Sequence, residues 1–431
     1  MIKRRNTTGD FETDWFDIST HVKKWGVAKY DADSRFLSRF RFSTMSVTVN
    51  NDQGQFNPET SVYSYWYGYL PRPRTLVKIE AGFITETDNG DGTWTVTEVP
   101  SSDSVILTGI IGGDMIENDN NEVQIQIMPL AEVFRQYPAK NITGYNDSLT
   151  ASDFITLVRD QQDGSGNYIF QPFFGATTTG FSIQSTVIEY SNLSTSTNEE
   201  IRDMTTWEVI EKLAESESFM PIVTRDGRFR FVSRDANTTT AAFQFNGLGV
   251  YDFANGNTIK KINYIGPRNS KFYTRVSVRF DAPDTTTSFA IVESTMTVNP
   301  PSASWKYGQK TFEIDNQWIP DQNTAQSIAS AIFTDYSALK REIDFSTSFV
   351  PGLDLLDQVS ISYDISRFES GFGLWDVGEW ADTIGAAETG LELIWDPLDG
   401  LAIYLNQEEF TLISIGIDLD KLECRFIGRE T

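Results

Sequence analysis

One cysteine, Cys424, and one histidine, His21, are all that 431 residues supply of the two residue types from which most metal and nucleophile sites are built. A lone cysteine excludes a disulfide within the chain, and the pair falls short of the usual zinc sets and of an iron–sulfur cluster. A Ser-His-Asp or Cys-His arrangement would have to rest on His21 or Cys424. The chain has no Gly-x-Ser-x-Gly elbow and no phosphate-binding P-loop. Long apolar runs are missing as well. After the basic opening Met1-Ile2-Lys3-Arg4-Arg5, the acidic Asp10, Glu12 and Asp14 stand where a secretory leader needs apolar residues, and no later stretch approaches a membrane span. The expectation is a protein that carries no cofactor and no metal and is made in a reducing cytosol.

Positive charge is the third shortage. Against 60 Asp and Glu there are 35 Lys and Arg, a net charge of −25, so a chain-wide basic footprint for gripping phosphates is absent. Paired carboxylates for glycoside hydrolysis stay available, because acids are plentiful and only the fold sets their separation.

Aromatic residues, by contrast, make up 13% of the chain and are mixed with many Thr, Ser, Asn and Val, a composition suited to pleated, half-buried surfaces. The length fits about three domains at ~150 residues each. Met45-Ser46-Val47-Thr48-Val49 alternates and is stopped by Asn50-Asn51-Asp52-Gln53-Gly54. Leu76–Ala81, Val105–Ile111 and Glu122–Met128 are further strands, the last ended by Pro129. Asp88-Asn89-Gly90-Asp91-Gly92 turns a hairpin. Its carboxylates faintly resemble a calcium loop, but Gly90 and Gly92 occupy positions that should carry oxygen ligands. Residues 1–130 are therefore read as a first β-rich domain.

Residues 131–235 read as a smaller mixed α/β domain. Thr150-Ala151-Ser152-Asp153 and Thr205-Thr206-Trp207-Glu208 are capping boxes that open two helices. Arg225-Asp226-Gly227 turns the hairpin Met220–Val232, and Pro221 marks its first strand as an edge. Beyond residue 236, strands at Phe243–Phe245, Ile259–Tyr264, Thr274–Phe280 and Phe289–Val292 lead to the longest helical pattern. From Asp321 to Arg341, Ile328, Ala329, Ile332, Phe333, Tyr336 and Leu339 share one face. Asn323 or Thr324 is the expected cap, and Lys340 and Arg341 are expected in the last turn, where the helix dipole favours cations. The helix then feeds an antiparallel pair, Ile343–Val350 and Val359–Tyr363. Residues 236–365 and 409–431 are read as a second β-rich domain that includes this helix, and 366–408 as an inserted peripheral element.

Two aromatic clusters stand out as interface candidates. Tyr65, Trp66 and Tyr67 lie within Tyr63–Tyr69, and Phe372, Trp375 and Trp380 are interleaved with Gly371, Gly373 and Gly378. The first suits core and inter-subunit packing more than a sugar-stacking platform. After the second, Asp396-Pro397-Leu398-Asp399-Gly400 carries a hairpin signal between two apolar runs, which suits either a docking element or extra strands closing a barrel.

The order of these patterns resembles the hub proteins at the tip or baseplate of tailed-bacteriophage tails. The strand Phe42–Val49 with its Asn50–Phe56 turn, Thr206-Trp207-Glu208-Val209-Ile210 before the Asp226-Gly227 hairpin, the long helix before Pro351–Val359, and the closing Phe410–Ile415 and Cys424–Ile427 carry the likeness. The resemblance implies a mainly β fold with some α (α+β), with two tail-tube-like β-barrels and a smaller mixed domain. It also implies a homotrimer whose six barrels meet a sixfold tube, with distal tail or tube proteins and tip or fibre proteins as partners. DNA would pass through without specific binding, and the chain would be a structural virion protein, not an enzyme. Two rivals stand beside it: a carbohydrate-binding tail adhesin and a cell-wall hydrolase.

Overall fold

A computed structural model describes residues 1–32, 40–57, 61–70, 73–82, 84–89, 94–98, 105–112, 116–118, 121–145, 149–175, 177–190, 201, 203–233, 241–247, 258–267, 272–280, 288–294, 296, 304, 308–315, 318–319, 321–337, 340–350, 352–364, 392–396 and 400–430.

The first sheet runs in the order Ile2–Lys3, Leu76–Glu80, Val105–Ile111, Glu122–Pro129, Met45–Asn50, Val22–Lys24, with Ile116–Asn118 added to Glu122–Pro129. The alternation read in the sequence fixes its register. Val123 faces Val49, Ile125 faces Val47 and Ile127 faces Met45, all six buried, so a one-residue slip of either strand would turn its three outward. At about 1.5–3 kcal/mol for each such side chain, that slip is prohibitive. The sheet curls. Ile2 and Phe16 exchange backbone hydrogen bonds at 2.8 Å, drawing the edge strand Ile2–Lys3 toward the segment that leads to Val22–Lys24. Ile2, Val22, Val47, Val77, Ile79, Ile125 and Ile127 then line one small apolar cavity, the convergence of a partly barrel-like sheet.

Both capping boxes form as read. Thr150 caps the helix Ala151–Asp160 with Asp153 reciprocating, and Thr205 does the same with Glu208 for Thr206–Glu217. Between them sits an aromatic cluster in which Phe134 stacks on Phe174 at 4.7 Å and on Trp207 at 6.1 Å. The hairpin Phe219–Val223 and Phe229–Ser233 turns at Gly227, whose φ of 88° suits a residue without Cβ. Pro221 is on the outer strand of a three-stranded sheet, where its missing N–H costs no ladder bond.

The largest sheet has nine strands. Its path is Phe243–Gly247, Gln358–Asp364, Gly400–Asp418, Glu423–Glu430, Arg341–Ser348, Ile259–Pro267. The two ends of the path meet where Thr258 N–H donates to Asn246 O at 2.9 Å, and the Phe245 ring lies 5.0 Å from Phe345 and 5.2 Å from Phe426. The hairpin signal near residue 398 is real: Glu392–Asp396 pairs with the 19-residue strand Gly400–Asp418, which continues into the sheet.

Two features depart from the sequence reading. The helix spans Gln322–Tyr336 and is capped by Asp321, whose Oδ1 accepts from the N–H of Asn323 and Thr324 at 2.7 and 3.0 Å. The acidic side chain at Asp321 wins over Asn323 and Thr324 because its charge also offsets the positive end of the helix. Lys340 therefore lies beyond the helix, and Arg341 opens the next strand. The second departure is where the helix packs. It lies on a separate three-stranded sheet, Ser288–Glu293, Arg275–Phe280 and Thr311–Asp315, and not on the large one. Strand periodicity marks these segments as strands but says nothing about which sheet they join.

Candidate interaction site

The chain from Ser61 to Leu70 is a succession of turns pinned to the N-terminal segment by Arg4. Its guanidinium pairs with Glu12 through Nε at 2.8 Å and Nη2 at 2.6 Å, donates to Tyr65 O at 2.6 Å, and lies 4.1 Å from the centre of the Tyr69 ring. This pairing holds the Glu12 carboxyl below its ordinary range.

The turn sorts the three aromatic candidates by burial. Tyr65 is half-buried, edge-on to Phe16 and Phe56, with its hydroxyl 2.8 Å from His21 Nε2. Burial raises its phenol pKa. Trp66 is fully buried and donates from Nε1 to Thr75 Oγ1 at 3.0 Å, so it has no surface to offer a partner. Tyr67 is 54% exposed, and Tyr63 and Val62 are exposed at 72% and 66%. The outward surface is therefore Val62, Tyr63 and Tyr67. A run of adjacent aromatics carries no periodicity, and the sequence consequently could not sort in from out. Phe372, Trp375 and Trp380 lie outside the described residues.

Behind this surface is a set of joints that the sequence did not signal. Val27–Ala32, carried by the N-terminal segment, pairs with residues 414–418 of the large sheet, and Phe40–Phe42 pairs with Val27–Ala32 in turn. Tyr30 reaches back from that strand to donate to Ile106 O of the first sheet at 2.9 Å. Full burial lifts its phenol pKa well above normal. Arg225, at the hairpin turn, donates from Nη1 to Val105 O at 2.7 Å and from its backbone N–H to Asp354 Oδ1 at 3.1 Å. Burial pushes Asp354 up to about 6 despite the guanidinium beside it. The first sheet, the hairpin and the large sheet thus share a polar node inside an apolar core.

Both scarce residues have partners in the fold. His21 is engaged by Tyr65, and the buried Cys424 thiol, pushed up to about 11 by burial, accepts from Val350 N–H at 3.4 Å. Among the described residues no three His, Cys, Asp or Glu are placed to hold a metal ion, and no helix is long and apolar enough to cross a membrane.

What this geometry defines is a mixed α/β protein with a curled, partly barrel-like first sheet, a larger mixed sheet and a small aromatic surface. No family model matches the chain, and no curated protein matches it. Among solved structures, the tail protein from Neisseria meningitidis MC58 is similar at 10% identity and a TM-score of 0.48, over 95% of each chain. The 43 kDa tail protein of prophage MuSo2 from Shewanella oneidensis is similar at 11% identity and a TM-score of 0.43, over 99% of this chain and 97% of that one. Prophage tail protein gp18 from Listeria monocytogenes EGD-e is similar at 9% identity and a TM-score of 0.44, over 100% of this chain and 94% of that one.

Proposed function

We propose that this chain is a structural component of a phage virion: a trimeric hub at the distal end of the tail. In that place it links the tail tube or distal ring to the tip or fibre proteins and forms part of the DNA exit channel. The observation that carries the reading is the main-chain pairing of Val27–Ala32 with residues 414–418. A threefold ring that offers six barrels to a sixfold tube needs the two barrels of each chain held at one fixed angle. A strand shared between them, reinforced by Tyr30 and Arg225, meets that need far better than a linker would. The two curled sheets serve as the tube-like barrels, and the order of sequence patterns supports the same assignment.

The acidic balance fits a channel that passes DNA without holding it, since each basic contact to a phosphate would slow release. The chain is proposed to be made in the bacterial cytoplasm and incorporated into the virion, with no catalytic step of its own. Light scattering on a dilution series tests the assembly: a trimer or ring at micromolar concentration is expected, and monomer throughout, with tail partners added, overturns it. Tight, salt-sensitive DNA binding by the purified chain would contradict the channel. A cleared band on a cell-wall zymogram would replace this reading with that of a hydrolase.

The exposed pair Tyr63 and Tyr67 favours one second reading, a carbohydrate-binding adhesin, because two tyrosines on one turn can stack on sugar rings. Retention of the isolated chain on a glycan column would support it, and a ring assembly predicts none.

A further inference from the structure

The unit built from the small sheet and the long helix is inserted into a hairpin. Ile259–Pro267 and Arg341–Ser348 are antiparallel partners, with Pro267 opposite Arg341 at the open end. From there the chain departs and returns at one place: Tyr273 N–H donates to Tyr336 O at 3.0 Å. Between these points Val276, Val278, Phe312, Ile314, Ile328, Ile332 and Tyr336 form an apolar core that is separate, among the described residues, from the main core.

Polar contacts and one buried tryptophan join this unit to the body. Asp335, in the last turn of the helix, accepts from Arg429 Nη1 at 3.1 Å through Oδ2 and from Lys340 Nζ at 3.0 Å through Oδ1, and its main-chain oxygen accepts from Arg429 Nη2 at 2.9 Å. The Arg429 guanidinium also lies 4.5 Å from the Tyr336 ring centre. A second contact is Trp318, which packs in the main core while its neighbour Ile319 packs in the unit's own, with Lys212 Nζ 5.0 Å from the Trp318 ring centre.

We propose that the described residues between 272 and 337 form a hinged module, held in its observed pose by an ionic latch centred on Asp335 and able to swing on the neck at Tyr273 and Tyr336. Two bodies with separate cores joined at a narrow neck move by hinge rotation, here with Trp318 withdrawn from the main core as the packing cost. The latch sets the pose because its carboxylate lies between two cations: without it, Lys340 and the largely buried Arg429 face each other as like charges. A latch of partly exposed ion pairs is weakened by salt, whereas an apolar seam is strengthened by it. The module is independent of the tail assignment, because every contact that defines it lies within one chain.

Hydrogen exchange by mass spectrometry on the full chain tests this, comparing wild type, Asp335→Asn and Asp335→Glu at low and at 1 M salt. Asp335→Asn is expected to speed exchange at least tenfold around residues 273, 318 and 336–341 while protection at 276–280 and 424–429 stays as in wild type. Salt is expected to reproduce part of this in wild type, and Asp335→Glu to remain close to wild type. Unchanged exchange in Asp335→Asn overturns the latch, as does an Asp335→Glu variant that behaves like Asp335→Asn. Loss of protection at 276–280 overturns the hinge, because the module would then be unfolding and not swinging.

Discussion

Arg225 and Asp354 meet across 129 residues, the backbone N–H of Arg225 lying 3.1 Å from Asp354 Oδ1 and its side chain held by Val105 O. Both side chains are largely withdrawn from water, with Arg225 Nε 3.7 Å from Asp354 Oδ2. Replacing Arg225 with Met leaves the Asp354 carboxylate buried and uncompensated. A loss of about 3–5 kcal/mol is expected, the usual cost of breaking a buried pair from one side. Urea unfolding followed by tryptophan fluorescence measures it, and a loss below 1 kcal/mol would mean that water already reaches the node.

The same carboxyl predicts a pH dependence. Burial raises Asp354 to about 6, above its ordinary 3.8, so the fold favours the protonated form. Its contribution is fully present below about pH 4 and is lost as pH rises through 6, a span worth roughly 3 kcal/mol by linkage. Glu217, raised to about 7 by burial and sitting 3.3 Å from the Tyr190 hydroxyl, acts in the same direction between about pH 4.5 and 7. Stability is therefore expected to fall from about pH 4 to pH 7 in wild type, and less steeply in Asp354→Asn and Glu217→Gln. An identical slope in all three chains contradicts the assignment.

Adjacent aromatics are expected to behave oppositely. Trp66→Ala removes a fully buried indole together with its hydrogen bond to Thr75, for a loss of about 3–5 kcal/mol. Tyr67→Ala, at an exposed position, is expected to change stability by less than about 0.5 kcal/mol. Any effect of Tyr67→Ala should appear in association, so thermal unfolding and light scattering on the two variants separate core from surface.

At the helix Thr206–Glu217, Thr205→Ala removes one half of a reciprocal cap and leaves the Glu208 N–H unpaired. A loss of about 1 kcal/mol is expected in denaturant unfolding, with Thr205→Ser retaining most of the wild-type value.

Where the large sheet closes, Gly247 has no room for a side chain. A Cβ there would come within 2.2 Å of the Tyr363 ring and 3.3 Å of Ile259 Cβ. Gly247→Ala is expected to cost about 1–3 kcal/mol by overpacking, and Tyr363→Leu in the same chain to restore part of it. A stable single variant would show that the two strands do not approach as closely as the structure places them.

Local physics was legible in the sequence. The alternation of Met45–Asn50 and Glu122–Pro129, the two capping boxes, the Asp226-Gly227 turn and the edge position of Pro221 all depend on neighbours within a few residues. Assignments that depend on distant partners were not legible. Strand propensity at Arg275–Phe280 is the same whether it joins the large sheet or the small one, and only the facing helix decides. At the candidate interface, composition located the aromatic turn but could not separate Trp66 from Tyr67, because burial there follows turn geometry and not period. The Asp335 latch carries no sequence signal either, since an acid near a helix C-terminus runs against the dipole and makes sense only beside Arg429.

Synthesis imposes an order on the shared strand. Asp31 and Ser414, side chains in hydrogen-bond contact, are 383 residues apart. At about 5–20 residues per second, translation leaves Val27–Ala32 without its partner for roughly 20–80 seconds. Throughout that time Ala28, Tyr30 and Ala32, all buried in the finished chain, have no large sheet to cover them. The first sheet and the hairpin region can fold as they emerge, but the wall between the two sheets closes only after the last strands have been made. A ribosome stalled before residue 414 therefore holds an N-terminal half with an open β-edge, and any chaperone that follows this chain has its client there.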